Sequence, residues 1–346
     1  MDFNEYIGCL HIHINQETEK QILESIFYEA KQSGLDFIIL TPHTPVKRRW
    51  DNYFSLEGYK DGLIVLTGEE ADEGSGQNHI LIYGNRLWLG KKPVEEIVSH
   101  QNNNLLMFAA HPDGQHNLFG FSVDHKWKKK NLFNSLTGIE VWSALFDFVE
   151  KTNPSNLIFR YFSFPHNLQG PSLVTLQKWD RILKKRRFVG VCGLDMHTLP
   201  FLIKLLDVRK IFSFRIVFKT LRNHILTQKK ITGDFEKDRD VIVDAFMQGK
   251  VFFANDFIAD SRGFFLGSSD KKKTMGDFLS IEEEILVEIP EKSYINIKIG
   301  SKIVYSGNVK RLVLKPDVFG ACRVEAFYKE KAWIFSNPIF IQHPKN

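Results

Sequence analysis

The first two thirds of the chain alternate short apolar runs with segments whose apolar residues recur at helical spacing. Residues 6–13 and 35–41 have the composition of strands, and the segment 18–33 between them has helical periodicity and ends before Gly34. Further strands are predicted at 63–67, 79–83, 105–110, 138–142 and 188–193, and further helices at 94–101 and 173–187. Strands that alternate with helices indicate a parallel sheet or an α/β barrel.

The last quarter of the chain has a different pattern. A helix at 239–248 and a strand at 251–254 precede it, and afterwards strand-like segments follow one another without helical periodicity. These segments are 284–289, 294–299, 302–305, 310–315, 322–328 and 333–341, with a tight turn predicted at Gly300-Ser301. Because 346 residues suit roughly two domains, we predict an α/β domain over residues 1–257 and a small β-rich, sandwich-like domain over residues 258–346.

Composition excludes several classes of protein. Hydrophobic residues make up 43% and charged residues 25%, which are ordinary values for a folded globular chain. The longest apolar runs are far shorter than the ~18 residues of a membrane-spanning helix. The 46 basic and 41 acidic residues give a net charge of +5, without a basic stripe interleaved with aromatic residues. We therefore expect neither a membrane nor a nucleic-acid partner; the sequence does not indicate an oligomeric state.

The cysteines indicate a reducing compartment. Cys9, Cys192 and Cys322 are odd in number and form no C-x-x-C pair, so neither a disulfide framework nor a zinc knuckle is predicted. The N-terminal residues lack the basic and apolar segments of a secretory signal. We expect a cytoplasmic protein.

Histidines and carboxylates stand at the ends of the predicted strands. His11 and His13 close the first strand, and residues i and i+2 of a strand point to the same face, as two ligands of one metal must. The other candidate ligands at strand ends are His43, Glu70, His79, His111, Asp195 and His197. In an α/β barrel these ends meet at one rim. So many candidate ligands predict more than one metal ion.

The ligand types indicate which metals and which chemistry to expect. Imidazole and carboxylate together suit zinc, manganese or iron, and a carboxylate can bridge two ions. Paired ions hold a hydroxide between them and clamp the oxygens of a phosphoryl group under attack. The pattern therefore predicts a hydrolase.

The motifs that carry these residues resemble, in the same order, those of the polymerase and histidinol phosphatase (PHP) family of metal-dependent phosphoesterases. They are Leu10-His11-Ile12-His13, the segment 34–43, Gly68-Glu69-Glu70, Asn78-His79-Ile80-Leu81, Ala109-Ala110-His111-Pro112, the segment 138–142 and Gly193-Leu194-Asp195-Met196-His197. The segment 176–183, Arg323-Val324-Glu325-Ala326 and Ser336-Asn337-Pro338-Ile339 resemble the carbaryl hydrolase-like branch, which carries a β-rich tail. The resemblance implies a distorted (β/α)₇ barrel that holds two or three divalent metal ions.

It also implies roles for individual residues. One ion would be held by His11, His13, Glu70 and Asp195, a second by Glu70, His79 and His111, and a third by His43 with His197. Glu70 is then the bridging ligand, and a metal-bridging hydroxide attacks phosphorus. Catalytic residues are expected to be His11, His13, Glu70, Asp195 and His197. Glu69 and Glu140 are expected to support ligands, Glu140 by orienting a histidine.

Two positions depart from the family pattern. The family usually has Asp where this chain has Cys9 and Pro42, so polar support is lost at both. Cys9 is either a neutral core residue or a soft metal ligand.

Three residues are candidates for substrate contact. Arg48 and Arg49 follow His43 in a basic loop that either holds a substrate phosphate or is simply solvated. His116 follows His111 and is either a proton donor to the leaving group or an exposed loop histidine. The remaining histidines lack a matching motif and are expected to be structural.

We therefore expect a metal-dependent phosphoesterase that acts on a small-molecule phosphate ester. The first alternative is hydrolysis of a carboxylic or carbamate ester at the same metal site. The second is a metal-binding scaffold without turnover, which Cys9 and Pro42 favour.

Overall fold

The computed structural model describes residues 3–14, 20–45, 52–102, 104–118, 121–197 and 214–344. The α-helices within these ranges are α1 (Lys20–Gln32), α2 (Val94–Ser99), α3 (Ala144–Glu150), α4 (Leu157–Ser163), α5 (Leu173–Leu183), α6 (Phe214–Val217) and α7 (Phe235–Gln248). Short 3₁₀ helices occupy Tyr53–Leu56 and Lys130–Ser135. No helix among these residues is long and apolar enough to cross a membrane.

Strands account for most of the remaining regular structure. In the first two thirds they are β1 (Asn4–Ile12), β2 (Phe37–Leu40), β3 (Gly58–Lys60), β4 (Leu63–Ala71), β5 (Ile80–Tyr83), β6 (Leu106–Ala109), β7 (Gln115–Leu118), β8 (Phe121–Asp124), β9 (Gly138–Ser143), β10 (Val189–Gly193) and β11 (Leu221–Thr227). The others are β12 (Val251–Asn255), β13 (Phe265–Ser268), β14 (Phe278–Ser280), β15 (Ile285–Ile299), β16 (Lys302–Leu314), β17 (Gly320–Tyr328), β18 (Lys331–Ser336) and β19 (Ile339–Gln342). The fold is mixed α/β with one large sheet.

The sheet that carries the candidate ligands contains both parallel and antiparallel pairs. The alternation of strands and helices in the sequence had predicted a parallel sheet or an α/β barrel. The pairs β1–β2, β2–β4, β6–β9 and β9–β10 are parallel, whereas β4–β5 and β5–β6 are antiparallel. The chain returns from β4 to β5 without a crossover helix, and such a connection gives an antiparallel pair. After β10 the chain lies against the end of β1, where the amide of Leu194 donates to the carbonyl of Leu10 (3.0 Å) and the amide of His13 to that of Met196 (2.8 Å).

Helix α7 covers one face of this sheet. Asp234 caps its first turn by accepting the amide of Lys237, and Gly249, with φ of 70°, ends it in the left-handed conformation that glycine tolerates. The helix packs against β4, β6, β10 and β11. Its Ile242 and Phe246 are buried with the apolar side chains of those strands. This packing holds the strands of the sheet together on that face.

The C-terminal strands are longer than the sequence predicted. The predicted strands 284–289 and 294–299 are joined in β15, and the predicted strands 302–305 and 310–315 are joined in β16, because bulges absorb the interruptions in the ladder. Conversely, the predicted strand 333–341 is divided between β18 and β19. Strand β12 pairs with β18, so the sheet continues from one part of the chain to the other. The domain boundary at residue 257 stays a prediction.

Three of the sequence motifs connect the C-terminal strands to the rest of the chain. The guanidinium of Arg323 donates to Asp180 of α5 (2.7 Å), and Lys298 donates to the same carboxylate (2.6 Å). The Asn337 side chain accepts from the amide of Gly190 (2.8 Å) and donates to its carbonyl (2.7 Å). These bonds position β10, the strand that precedes Asp195.

Candidate metal centre

Glu70 lies near the C-terminal end of β4 and is 1% exposed. Its amide donates to the carbonyl of Pro42 (2.9 Å), so Pro42 positions this glutamate through its backbone. Histidine nitrogens surround both carboxylate oxygens. Next to Oε1 lie His79 Nδ1 (2.7 Å) and His111 Nε2 (2.9 Å), and next to Oε2 lie His43 Nδ1 (3.0 Å), His13 Nε2 (3.2 Å) and His11 Nε2 (3.5 Å).

Asp195 is the second carboxylate of this group and follows β10. Its Oδ1 lies 3.2 Å from His13 Nε2, 3.4 Å from His11 Nε2 and 3.5 Å from His197 Nδ1. Asp195 and Glu70 thus share the two histidines of the first strand. We call this set the site cluster; its members are His11, His13, His43, Glu70, His79, His111, Asp195 and His197.

The backbone is strained where it delivers these side chains. His11, His111 and Asp195 have φ angles of 61°, 24° and 53°, which non-glycine residues rarely adopt. At His11 the strain accompanies an irregularity in the pairing of β1 with β2 between Cys9 and Ile12. Such strain persists only where the surrounding structure holds it, and it concentrates at functional sites.

Glu140 of β9 supports two members of the site cluster. Its Oε1 accepts from His11 Nδ1 (2.7 Å), and its Oε2 accepts from the amide of His111 (2.7 Å). The proton of His11 is therefore held at Nδ1, which leaves Nε2 facing Glu70 and Asp195. Gly193 makes room for this arrangement, because a Cβ atom there would lie 1.9 Å from Glu140 Oε1.

Glu69 has a different role from its neighbour Glu70. Its carboxylate accepts from the Thr44 hydroxyl (2.5 Å), the Asn85 amide group (2.8 Å) and the Leu89 backbone amide (2.6 Å). These bonds tie together the loops that surround the site cluster, so Glu69 supports the site through its loops.

Several buried polar atoms of the site cluster lie close to one another but without the geometry of a hydrogen bond. They are His11 Nε2, His13 Nδ1 and Nε2, Glu70 Oε2, His79 Nε2 and His111 Nδ1. A buried polar atom without a partner costs about 1–3 kcal/mol, so a concentration of such atoms indicates a ligand. Three sets of donor atoms lie within 4.8 Å of one another, and they come from His11, His13, Glu70 and Asp195; from His43, Glu70 and His79; and from His13, His43 and His197. Nitrogen and carboxylate donors in these sets fit divalent transition metals.

Charge favours the ligating form of several groups. Burial disfavours the charged carboxylates of Glu70 and Asp195, but the surrounding imidazoles outweigh it and hold the pKa of each below its usual range. Burial lowers the pKa of His43 to about 3 and that of His197 to about 4. At neutral pH the two carboxylates are therefore ionised, and these two imidazoles are neutral and able to donate a lone pair.

The structure thus brings together all eight candidate ligands, and their individual roles stay predictions. Cys9 lies in the core, where its thiol donates to the carbonyl of Leu221 (3.5 Å) and burial raises its pKa to about 12. A neutral thiol so placed is a core residue. Arg48 and Arg49 lie outside the described residues, and so does the side chain of His116, although its backbone belongs to β7.

His125 joins the site without having been predicted there. Its ring centroid lies 4.7 Å from that of His79 and 5.6 Å from that of His111, and its Nδ1 donates to the carbonyl of Gly76 (2.6 Å). His125 follows β8 and belongs to no motif, so only the tertiary contact identifies it.

Comparison with known proteins adds little to these observations. No protein-family model matches the chain, and no curated protein matches it. One similar solved structure is a two-domain protein of Bacteroides vulgatus ATCC 8482 that contains a predicted PHP-like metal-dependent phosphoesterase. The two chains are 12% identical, the similarity covers 97% of this chain and 96% of the other, and the TM-score is 0.48. A likeness of this size leaves the function to be argued from the chain's own residues.

Proposed function

We propose that this protein is a metal-dependent hydrolase, and specifically a phosphoesterase of the PHP type. The observation that carries the proposal is the position of Glu70, a buried carboxylate with histidine nitrogens within 2.7–3.5 Å of both its oxygens. A carboxylate placed between two sets of imidazoles suits a bridging ligand of two ions.

The donor sets suggest how the ions are shared. His11, His13, Glu70 and Asp195 would hold one ion, and their donor atoms form one of the compact sets. Glu70 and His79 would hold a second together with His111, whose Nε2 lies 2.9 Å from Glu70 Oε1. His43 and His197, whose Nε2 atoms lie 3.4 Å apart, would hold a third. Zinc, manganese and iron all suit these donors.

Divalent ions bound there supply Lewis acidity and an activated water for hydrolysis. The chain's own residues provide orientation and access. Glu140 holds the His11 ring in one tautomer, and Phe146 packs against the His111 ring with centroids 4.4 Å apart. The His43 side chain is 46% exposed and that of His197 31%, whereas the other ligands are buried. These two imidazoles are therefore the candidate ligands that solvent reaches most readily.

The proposed architecture is a PHP barrel over residues 1–257. The mixed sheet that runs from β11 through β1, β2, β4, β5, β6 and β9 to β10 supports it, together with the bonds that bring the segment after β10 back to β1. Placement in the carbaryl hydrolase-like branch rests on the sequence motifs alone.

A substrate panel tests the proposal. The protein, reconstituted separately with Zn²⁺, Mn²⁺ and Fe²⁺, is assayed with phosphomonoesters, phosphodiesters and aryl carboxylic esters. We expect the highest kcat/KM for a phosphate ester, because paired ions match two oxygens of a phosphoryl group, whereas an ester carbonyl presents one oxygen and needs a separate donor.

The same panel separates the alternatives. If aryl esters exceed every phosphate ester in kcat/KM, the protein is a carboxylic or carbamate ester hydrolase. If no ester is turned over faster than by Glu70→Gln protein, the metal site is a scaffold without turnover.

A further inference from the structure

A cavity of about 680 Å³ is lined by residues from two segments of the chain that also reach the site cluster. It shares two loops with the cluster, residues 111–115 and residues 125–130. The first loop gives His111 to the cluster and Asp113 and Gln115 to the cavity wall, and the second places His125 against the cluster and Lys126, Trp127, Lys128 and Lys130 in the wall. Since an extended chain spans at most about 3.6 Å per residue, the backbone of Asp113 in the wall lies within about 7 Å of the backbone of His111.

The two loops are held together by backbone hydrogen bonds. The amide of His125 donates to the carbonyl of Gly114 (2.9 Å), and the amide of Trp127 donates to that of Pro112 (2.9 Å). Trp127 is buried, and its indole donates to the carbonyl of Lys129 (2.8 Å). The cavity wall is therefore an ordered part of the same structure that delivers His111. Its volume suits a small organic molecule.

The charge on the wall favours an anion. Four lysines line the cavity, against two carboxylates, Asp113 and Glu150. Lys178 is paired with Asp113, and Lys128 with Asp124, which lies outside the wall. Lys126 and Lys130 form no ion pair within the described part of the chain. Two ammonium groups next to a cavity are thus left to attract an anion, and Glu150 is the one wall carboxylate that opposes it.

We propose that this cavity is an anion-binding site that takes a second anionic group, a carboxylate or a phosphate, carried on the leaving-group part of the substrate. The assignment to substrate rests on the proposed phosphoesterase function. Lys126 and Lys130 supply the charge, and Val174, which lines the cavity and is 54% exposed, supplies an apolar contact for the part of the molecule between its two anionic groups. The preferred substrate is then a phosphate ester with at least two anionic groups.

Binding is tested first, without turnover. Benzene-1,3-disulfonate is a rigid dianion whose sulfonates bind metals weakly, and its affinity for the metal-loaded protein is measured by isothermal titration calorimetry. We expect the double variant Lys126→Ala/Lys130→Ala, which we call the cavity variant, to bind the disulfonate about tenfold or more weakly than wild type. Glu150→Gln should strengthen binding a few-fold. Lys292→Ala/Lys302→Ala removes two exposed lysines of β15 and β16 and serves as the matched control, with unchanged affinity. Equal affinity in wild type, the cavity variant and the control would overturn the proposal.

A kinetic comparison then tests the assignment to substrate. Wild type is expected to prefer 4-carboxyphenyl phosphate to phenyl phosphate in kcat/KM, and the cavity variant is expected to lose this preference. Equal losses with both esters would overturn the assignment. If the disulfonate binds in a lysine-dependent way but no phosphate ester is turned over, the anion site is supported and the phosphoesterase proposal fails.

Discussion

Two clusters of histidine and carboxylate in the described part of the chain differ in how their polar atoms are used. In the site cluster, both ring nitrogens of His13 and one each of His11, His79 and His111 make no hydrogen bond with a described residue. In the second, which we call the His224 cluster (Glu5, His224, Asp256 and Ser261), the ring of His224 is fully bonded. Its Nδ1 donates to Glu5 (2.7 Å), and its Nε2 lies 3.1 Å from both Asp256 Oδ2 and Ser261 Oγ.

The comparison separates a binding site from a structural network. Ser261, His224 and Glu5 have the residue types and contacts of a nucleophilic triad, but Ser261 and His224 are 0% exposed and the Ser261 hydroxyl donates to Asp256 (2.6 Å). A substrate has no access, and the serine proton is already committed. Burial and charge are therefore common to both clusters, and the unbonded nitrogens distinguish the site that receives a ligand.

The largest expected effect is that of Glu70→Gln. An amide cannot replace the charge of a bridging carboxylate, so we expect the protein to retain at most one ion per chain and to lose about 10³-fold or more in kcat/KM. Elemental analysis and the preferred ester assay measure the two effects. Glu5→Gln is the matched control in the His224 cluster and should leave metal content unchanged. Full metal occupancy in Glu70→Gln would remove Glu70 from the ligand set.

His224→Ala is expected to have the opposite consequences to Glu70→Gln, lowering stability while leaving metal content unchanged. It leaves Asp256, which is almost fully buried, and Glu5 without their shared cation, and losing one partner of a buried charge pair costs about 3–5 kcal/mol. Urea unfolding should show this loss, whereas metal content and turnover of the folded fraction should match wild type. Loss of metal at unchanged stability would show that the two clusters are not independent.

The pH dependence of stability sharpens the same distinction. Burial lowers the pKa of His224, but the carboxylates of Asp256 and Glu5 outweigh it and raise the pKa to about 9 from 6.5. The protonated ring therefore stabilises the fold fully below pH 6.5, and this contribution, about 3 kcal/mol, is lost as the pH rises through about 9. Unfolding free energies of wild type minus those of His224→Ala, measured from pH 6 to 10, should decline across this window. A constant difference would contradict the assigned charge state.

Glu140→Gln is expected to have the smallest effect. The amide keeps the size of the side chain but replaces the carboxylate that holds His11 at Nδ1, and such supporting partners are worth about 10–100-fold in metal affinity. Metal titration of the chelated protein measures this loss. An affinity equal to wild type would mean that the orientation of His11 depends on its backbone alone.

Strand ends explain why much of the site cluster is predictable from the sequence. His11, His43, Glu70 and Asp195 each lie at or just after a predicted strand, so the local pattern already places them on one side of the sheet. The His224 cluster has a weaker signal, because Glu5 and His224 lie within strands and only Asp256 directly follows one. His125 is identified only by its contact with His79.

The fold shows a similar limit. Apolar periodicity located the strands that carry candidate ligands but missed β11, which pairs with β1 and β12. The direction of each strand depends on the connections, and the short return from β4 to β5 made that pair antiparallel. The bulges that keep β15 and β16 continuous depend on pairing with neighbouring strands, which apolar periodicity does not report.

The central claim is that the site cluster holds more than one metal ion. Elemental analysis of the chelated protein, reconstituted with Zn²⁺, Mn²⁺ or Fe²⁺ and freed of unbound metal, tests it most directly, with the His224→Ala protein as a control that keeps the site. We predict at least two ions per chain for the best metal, since the donor sets around Glu70 exceed what one ion can use. At most one ion per chain with every metal would contradict the account.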